Sequence, residues 1–200
     1  MFGRGNYSKM MSAESIINKR KWADNDCIEK KRIHKRYRIP ELNKTLVYQR
    51  TTKEAMLLCK AKILGINVPT VYFVTEDTIY MEAIPGPTLF ELQQAQEKEF
   101  IKSQSLKIGK CVALLHNNNI VHGDLSPMNI IVNEGTPYLI DFGLSFNSHT
   151  VEDYAVDMAA FEKVLNDETA FNLILDGYNQ MSKQSISVRL DIVRQRGRKK

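Results

Sequence analysis

The sequence predicts an α+β chain in two lobes, and three observations carry that reading. Short strand-like runs and one long helical stretch fill the first part. A break rich in Pro and Gly, IPGP at 84–87, follows. Beyond it the pattern is mainly helical, with one small hairpin. With 200 residues, 43% hydrophobic and 26% charged, the chain can bury a proper core without disulfide staples.

Taken in order, residues 1–11 read as a flexible leader. From Ala13 to Ile33 the pattern is strand-like: ESIIN, a polar turn near Trp22 to Asp26, then CIEKKRI. A helix is expected over Asn43 to Leu64, with Asn43 as its cap and Gly65 as its stop. Leu46, Met56, Leu57, Ile63 and Leu64 supply part of its apolar face. VYFVT (71–75) and TIYMEA (78–83) read as a hairpin across Glu76 and Asp77. Phe100 to Asn118, with Ile101, Leu106, Ile108, Val112, Leu114 and Leu115, suits a largely buried helix. NIIV and YLI are short strands flanking a turn-rich link, Asn133 to Pro137. From Asp153 onward the chain is helical again. The expected organisation is therefore a leader (1–11), an N-lobe (12–84), a C-lobe (85–194) and a basic tail (195–200). A crevice is expected at the break between lobes, where ligands usually sit.

No apolar run approaches the roughly 18 residues that span a bilayer, so no membrane association is expected. The start, MFGRGNYSKMMSAES, lacks an apolar signal region. Cys27, Cys59 and Cys111 are odd in number and form no CxxC pair. Three reduced thiols in a cytoplasmic or nuclear protein are the expectation. Net charge is +5, and it is clustered. One run holds Lys30, Lys31, Arg32, Lys35, Arg36 and Arg38. The C-terminal end holds Arg189, Arg194, Arg196, Arg198, Lys199 and Lys200. Such clusters attract phosphate-rich partners.

The chemistry concentrates in HGDLSPMN (122–129) and LIDFG (139–143). Phosphoryl transfer needs metal ligands, cations for the phosphates and a carboxylate to orient the nucleophile. Asn129 and Asp141 offer the hard oxygen that Mg²⁺ prefers. The hairpin NIIV–YLI brings them to the same end. Asp124, on the loop before, can orient a proton of an attacking hydroxyl or water, a role worth about 10²–10⁴ in rate. HGDLxxxN followed by IDFG after a buried helix is the layout of a protein kinase catalytic centre. A lysine held by a carboxylate can grip nucleotide phosphates. Lys30, with Lys31 as the alternative, and Glu54 in the long helix are the candidates.

Several segments together resemble the small atypical serine/threonine kinase-ATPases of the EKC/KEOPS complex, the PRPK type of RIO-like kinase. They are KKRIHKRYRIPEL, KEAMLLCKAKILGINVPTVYFV, IYMEAIPGPTL, HGDLSPMNIIV, LIDFGLSF, VEDYAVDMAAFEKVL and the terminal RGRKK. The resemblance implies a compact bilobal protein-kinase-like fold with a reduced C-lobe and no usual activation segment. It implies that Lys30 binds phosphate and that Glu54 is its ion-pair partner. Met81, Glu82 and Ile84 would line the adenine pocket and hinge, Ile17 would be a further ATP-binding residue, and Ser12 and Ala13 would belong to the nucleotide loop, SAES at 12–15. Asp124 would be the catalytic residue, and Asn129 and Asp141 the metal ligands. His122 and Asp157 would support the loop.

The resemblance also implies ATP and Mg²⁺ as cofactors. It implies a Kae-type threonylcarbamoyltransferase subunit, small KEOPS accessory subunits and tRNA as partners, and support for threonylcarbamoyl transfer to adenosine 37. Arg196, Arg198, Lys199 and Lys200 are the candidate tRNA contacts. Ser12 stands where the family carries Gly, which weakens a close backbone approach to phosphate. Tyr154 replaces a Lys in EDKAVD. Ser126 stands where most protein kinases have a lysine, and little chain follows Asp141. Both favour ATP hydrolysis or slow transfer over efficient protein phosphorylation. The alternatives are a catalytically weak tRNA-binding scaffold and a small-molecule kinase.

Overall fold

The computed structural model describes residues 10–11, 14–35, 37 and 39–198. Ser12, Ala13, Lys199 and Lys200, expected at the nucleotide loop and the tRNA-binding end, lie outside these residues. The chain divides into two units, Met1–Lys60 with Pro69–Ala83, and Ala61–Val68 with Ile84–Lys200.

The first unit is built on one antiparallel sheet in the order β1-β2-β3-β5-β4. Its strands are β1 (Met10–Met11), β2 (Ser15–Trp22), β3 (Asn25–Arg32), β4 (Val71–Val74) and β5 (Thr78–Glu82). The β2–β3 hairpin turns through Ala23 and Asp24 at φ 45° and 69°. That pair of left-handed residues matches the twist of two-residue hairpins. Its register sets Ile17 opposite Lys30. On the other side of β3, Lys30 faces Ile79 and Ile28 faces Met81. Directly opposed residues share a face, as do alternate residues along a strand. Ile17, Ile28, Lys30, Arg32, Ile79 and Met81 are therefore on one face of the sheet.

Helix α1 (Pro40–Ile63) begins three residues before the expected cap. Proline is well suited to a first turn, because its missing N–H has no helical partner there. Asn43 is not the cap: it is buried inside the helix, and its Oδ1 accepts from the Lys35 backbone at 3.4 Å. Leu57 is buried as expected, but Met56 and Ile63 are 66% and 87% exposed. The buried positions include Val47, Thr51, Glu54, Ala55 and Leu58. Polar Thr51 and Glu54 share the inward face with apolar residues, which blurs the stripe that periodicity seeks.

The second unit holds α2 (Leu89–Gln94), α3 (Lys98–Asn117), α4 (Val151–Leu165), α5 (Glu168–Met181) and α6 (Ser187–Arg198), with four short strands between α3 and α4. These are β6 (Ile120–Val121), β7 (Ile130–Asn133), β8 (Thr136–Leu139) and β9 (Phe146–Asn147). A capping box starts α2: Thr88 accepts from the Glu91 backbone, and Glu91 accepts from the Thr88 backbone. In α3, Ile101, Ile108, Val112 and Leu115 are buried, whereas Leu106 is 37% exposed. The segment expected as a basic tail from residue 195 is helical as far as Arg198. Arg194 anchors that helix, donating to both oxygens of Glu162 at 2.8 and 2.7 Å and lying 5.8 Å over the Phe171 ring.

Helices α3 and α5 meet through glycine. A Cβ at Gly109 would lie 1.9 Å from the Ile174 carbonyl oxygen, and one at Gly177 would lie 2.1 Å from that of Leu106. The obstacle is helix backbone, which cannot swing aside. Gly109→Ala is expected to destabilise the fold by about 2–3 kcal/mol. Urea denaturation followed by circular dichroism checks this; an unchanged midpoint would show that the helices part freely.

Candidate active site

In the first unit, the centre of interest is a buried ion triad. Lys30 Nζ donates to Glu54 Oε1 at 2.7 Å, and Arg32 Nη2 donates to Glu54 Oε2 at 2.5 Å. The two cations stand two residues apart on β3, so both point to the face from which α1 presents Glu54. All three are buried: Lys30 and Arg32 at 6% exposure, Glu54 at 1%. Lys31, the alternative for the phosphate lysine, lies on the opposite face and is exposed, 3.4 Å from Asp77. The structure thus selects Lys30 as the partner of Glu54. Ile17 and Met81 share its sheet face. Glu82 takes a different part, its Oε2 accepting from the backbone and hydroxyl of Thr70 at 3.0 and 2.7 Å.

In the second unit, β6 and β9 clasp the loop that holds HGDLSPMN. The backbone at Gly123 has φ +77°, and a Cβ there would meet the Leu144 carbonyl oxygen at 2.4 Å. Only glycine fits this turn. Beyond it Asp124 is exposed, and Pro127–Asn129 form a single 3-10 turn. The amide of Asn129 donates to the Asp124 backbone oxygen at 2.9 Å and to its carboxylate at 3.1 Å. With the amide nitrogen turned to Asp124, Oδ1 is the donor atom Asn129 has for a cation. Ile140 N–H donates to the Asn129 carbonyl at 2.9 Å, and Ile130 pairs with Leu139. The hairpin therefore sets Asp141 one residue beyond the contact with Asn129. Asp141 is held at φ +61°, with Oδ1 accepting from Gly143 N–H at 3.1 Å. Asp tolerates this left-handed region better than most residues.

The support beneath this loop is a buried polar chain. Asp157 on α4 accepts from the backbone N–H of His122 at 2.9 Å and of Gly123 at 3.0 Å. His116 on α3 adds a third contact, its Nε2 lying 3.1 Å from Asp157, and its Nδ1 lies 2.9 Å from the Tyr178 hydroxyl. The assignment that satisfies every partner has Tyr178 O–H donating to Nδ1 and Nε2–H donating to Asp157. Burial pushes the Tyr178 hydroxyl up to about 12, so it remains a donor. For Asp157, burial works to raise the carboxyl. The hydrogen bonds from His116 and from the His122 backbone outweigh it and hold Asp157 below the usual range. Burial pushes His122 the other way, below the ordinary histidine value, against the raising effect of Asp157 and the Ile140 carbonyl. His122 is thus neutral near pH 7. Its Nε2–H donates to Ile140 at 3.1 Å, and its carbonyl accepts from Ser145 Oγ at 2.7 Å. The sequence reading named His122 and Asp157 but missed His116 and Tyr178. They join the network across separations of 41 and 62 residues, which no local pattern spans.

The RIO domain model matches residues 16–157. The chain belongs to the RIO family. Within it, the chain is 39% identical to the EKC/KEOPS complex subunit bud32 of Dictyostelium discoideum, over 87% of this chain and 75% of that relative. It is 34% identical to the probable serine/threonine-protein kinase BUD32 homolog of Archaeoglobus fulgidus, over 86% and 87% of the two chains. A probable bifunctional tRNA threonylcarbamoyladenosine biosynthesis protein of Methanosphaera stadtmanae is 33% identical over 95% of this chain. The chain spans about a third of that relative's length, 36%. RIO membership makes the domain kinase-like and its site of the nucleotide-binding kind. The Bud32 relatives are named as subunits of a multi-subunit complex. No helix among the described residues is long and apolar enough to cross a membrane.

At neutral pH, Asp157→Asn is expected to cost about 2–3 kcal/mol, because an amide nitrogen then faces N–H donors. Two acid windows follow from the shifts. The folded His122 value lies below the unfolded one, so its stability contribution is complete above about pH 6.5 and is lost as pH falls from there. Asp157 contributes above about pH 4 and loses that contribution below it. Melting temperature against pH should show both declines. His122→Gln should flatten the upper one alone. A profile that stays level from pH 7 to 5 would contradict the neutral buried imidazole.

Proposed function

We propose that the chain is an Mg-ATP-dependent serine/threonine kinase and ATPase, acting as a subunit of a KEOPS-type assembly that supports threonylcarbamoyl modification of adenosine 37 in tRNA. The observation that carries the chemistry is the Asp124–Asn129–Asp141 arrangement. A carboxylate is exposed to solvent, an amide is locked so that its oxygen is left for a cation, and a second carboxylate stands at the adjoining strand end. The donor set fits Mg²⁺, which takes few protein oxygens and fills its shell with phosphate and water. No cluster of three or more His, Cys, Asp or Glu able to hold a metal occurs among the described residues. That suits a cation that arrives with a polyphosphate. Bound Mg²⁺ supplies neutralisation of the phosphate charge.

The residues divide the work. Lys30, fixed by Glu54, holds phosphate oxygens. Ile17 and Met81 offer apolar surface to the base, and backbone groups of Glu82 and Ile84 offer hydrogen bonds to its edge. Ser12 and Ala13 belong to the nucleotide loop in this reading. Asn129 Oδ1 and the Asp141 carboxylate hold the cation. Asp124 accepts the hydrogen of the attacking oxygen and aims it in line with the leaving group. His122, buried and neutral, anchors the loop and moves no proton. With Ser126 in place of a lysine, no side-chain cation from that position balances charge on the transferring group. Water is then a suitable acceptor beside a protein hydroxyl.

The names of the relatives support the assembly: KEOPS subunits in one group, fused tRNA threonylcarbamoyladenosine biosynthesis proteins in the other. In this reading the partners are a Kae-type threonylcarbamoyltransferase subunit, small accessory subunits and tRNA, and the compartments are cytoplasm and nucleus. Arg196, Arg198, Lys199 and Lys200 contact the tRNA backbone.

Two measurements test this. ATP turnover by the chain with a Kae-type partner and tRNA should fall about 10²–10⁴-fold in Asp124→Ala and be lost in Asp141→Ala; turnover undiminished by Asp141→Ala rejects the assignment. Removing residues 196–200 should flatten the salt dependence of tRNA binding by about 0.7–0.9 in slope per lost phosphate contact. An unchanged slope places the RNA contacts elsewhere.

A further inference from the structure

The buried triad holds one residue that the proposed chemistry does not use. Arg32 spends its guanidinium on Glu54, whose other oxygen already pairs with Lys30. Buried ion pairs are poor evidence of stabilisation, since desolvation of each charge offsets most of the attraction. Here the arrangement costs more still. Arg32 Nε is buried with no hydrogen-bond partner among the described residues, a loss of about 1–3 kcal/mol for a buried donor. The guanidinium is aimed at Glu54 at the expense of its own satisfaction. Stability alone does not account for that orientation.

We propose that Arg32 is a positioning residue for Lys30, and that it acts by dividing the Glu54 carboxylate between two cations. A carboxylate alone with an ammonium can rotate, and the flexible lysine stem can follow either oxygen. With Oε2 taken by a rigid planar fork, only Oε1 remains for Lys30, and the ammonium has one place to stand. Arg32 also ties this point to the start of β2. Its Nη1 lies 3.8 Å from the Glu14 carboxylate, to which Arg50 of α1 donates at 3.2 Å. The backbone repeats the link, Ile33 N–H donating to the Glu14 carbonyl at 3.0 Å. Glu14 directly follows Ser12 and Ala13 of the candidate nucleotide loop. Arg32 therefore fixes the phosphate lysine and the chain beside that loop from a single side chain. The inference rests on the assignment of Lys30 to nucleotide phosphate.

Lys30 would hold phosphate in the bound substrate and in the transition state alike, so its displacement raises KM and leaves kcat little changed. The experiment compares ATP turnover by the chain, with its partner, in Arg32→Met, Arg32→Lys, Lys30→Met and Lys30→Met with Arg32→Lys. Each is melted with and without ADP. Arg32→Met leaves Glu54 paired with Lys30, so no buried charge is orphaned and the variant should fold. Its KM for ATP should rise about tenfold with kcat within about threefold. In the Lys30→Met background, where Arg32→Met would leave the buried Glu54 with no cation, Arg32→Lys should move KM by less than about twofold, because it acts through the lysine. Arg32→Lys keeps the charge but loses the fork, and KM should fall between wild type and Arg32→Met. If Arg32→Met does not fold, this variant and its Lys30→Met double carry the comparison. Equal effects of Arg32→Lys in both backgrounds, or a lowered melting temperature with KM unchanged in Arg32→Met, overturn the proposal while leaving Lys30 as the phosphate residue. A Lys30→Met variant with wild-type KM overturns the assignment beneath it.

Discussion

The loop around Asp124 rests on one buried carboxylate. Asp157 takes the N–H groups of two successive loop residues, His122 and Gly123. Few side chains can do this, because two neighbouring backbone donors converge only where the chain bends sharply. Gly123 supplies the bend and Asp157 makes it worth adopting. An unpaired buried N–H is costly, so the loop has one conformation in which its donors are satisfied. His116 adds a third contact to Asp157, and the Tyr178 hydroxyl holds the other nitrogen of the His116 ring. Its exposed product is Asp124, presented to solvent by a loop whose two buried backbone donors both end on Asp157.

Asp141 illustrates the same economy in backbone terms. A non-glycine residue at φ +61° is uncommon. It persists because the chain is fixed on both sides of it. Ile140 is hydrogen-bonded to Asn129, and Phe142 is wholly buried against the His122 ring at a centroid distance of 5.0 Å. Strain of this kind clusters at functional sites. Here it falls on the residue whose carboxylate accepts from the Gly143 N–H.

Much of this was legible in the sequence, and the legible parts share a reason. Short apolar runs bounded by turn residues gave the hairpins of both units. HGDLSPMN and LIDFG gave the candidate catalytic residues, because their chemistry requires those residue types at that spacing. The misread parts depend on contacts far apart in the chain. Asn43 carries the right chemistry for a cap, yet Pro40 had already begun the helix. Met56 and Ile63 are apolar by type but exposed, since α1 turns Glu54 and Thr51 inward instead. Arg32 looked like one charge in a basic run. Only the fold shows it buried beside Lys30 on the same sheet face, while its neighbour Lys31 faces the other way.

The link from Asp141 to α4 is short, and it is bonded at nearly every step. Ser145 holds His122. Ser148 is tied through its backbone to Asn119 and through its hydroxyl to Asp153, while its carbonyl receives the Tyr154 hydroxyl. Many kinases are switched on when a long loop in this place passes from disorder to order. The link here is brief, and its bonds at Ser145 and Ser148 tie it to the catalytic loop and to α4. It offers no long loop between Asp141 and α4 for an ordering step of that kind to act on.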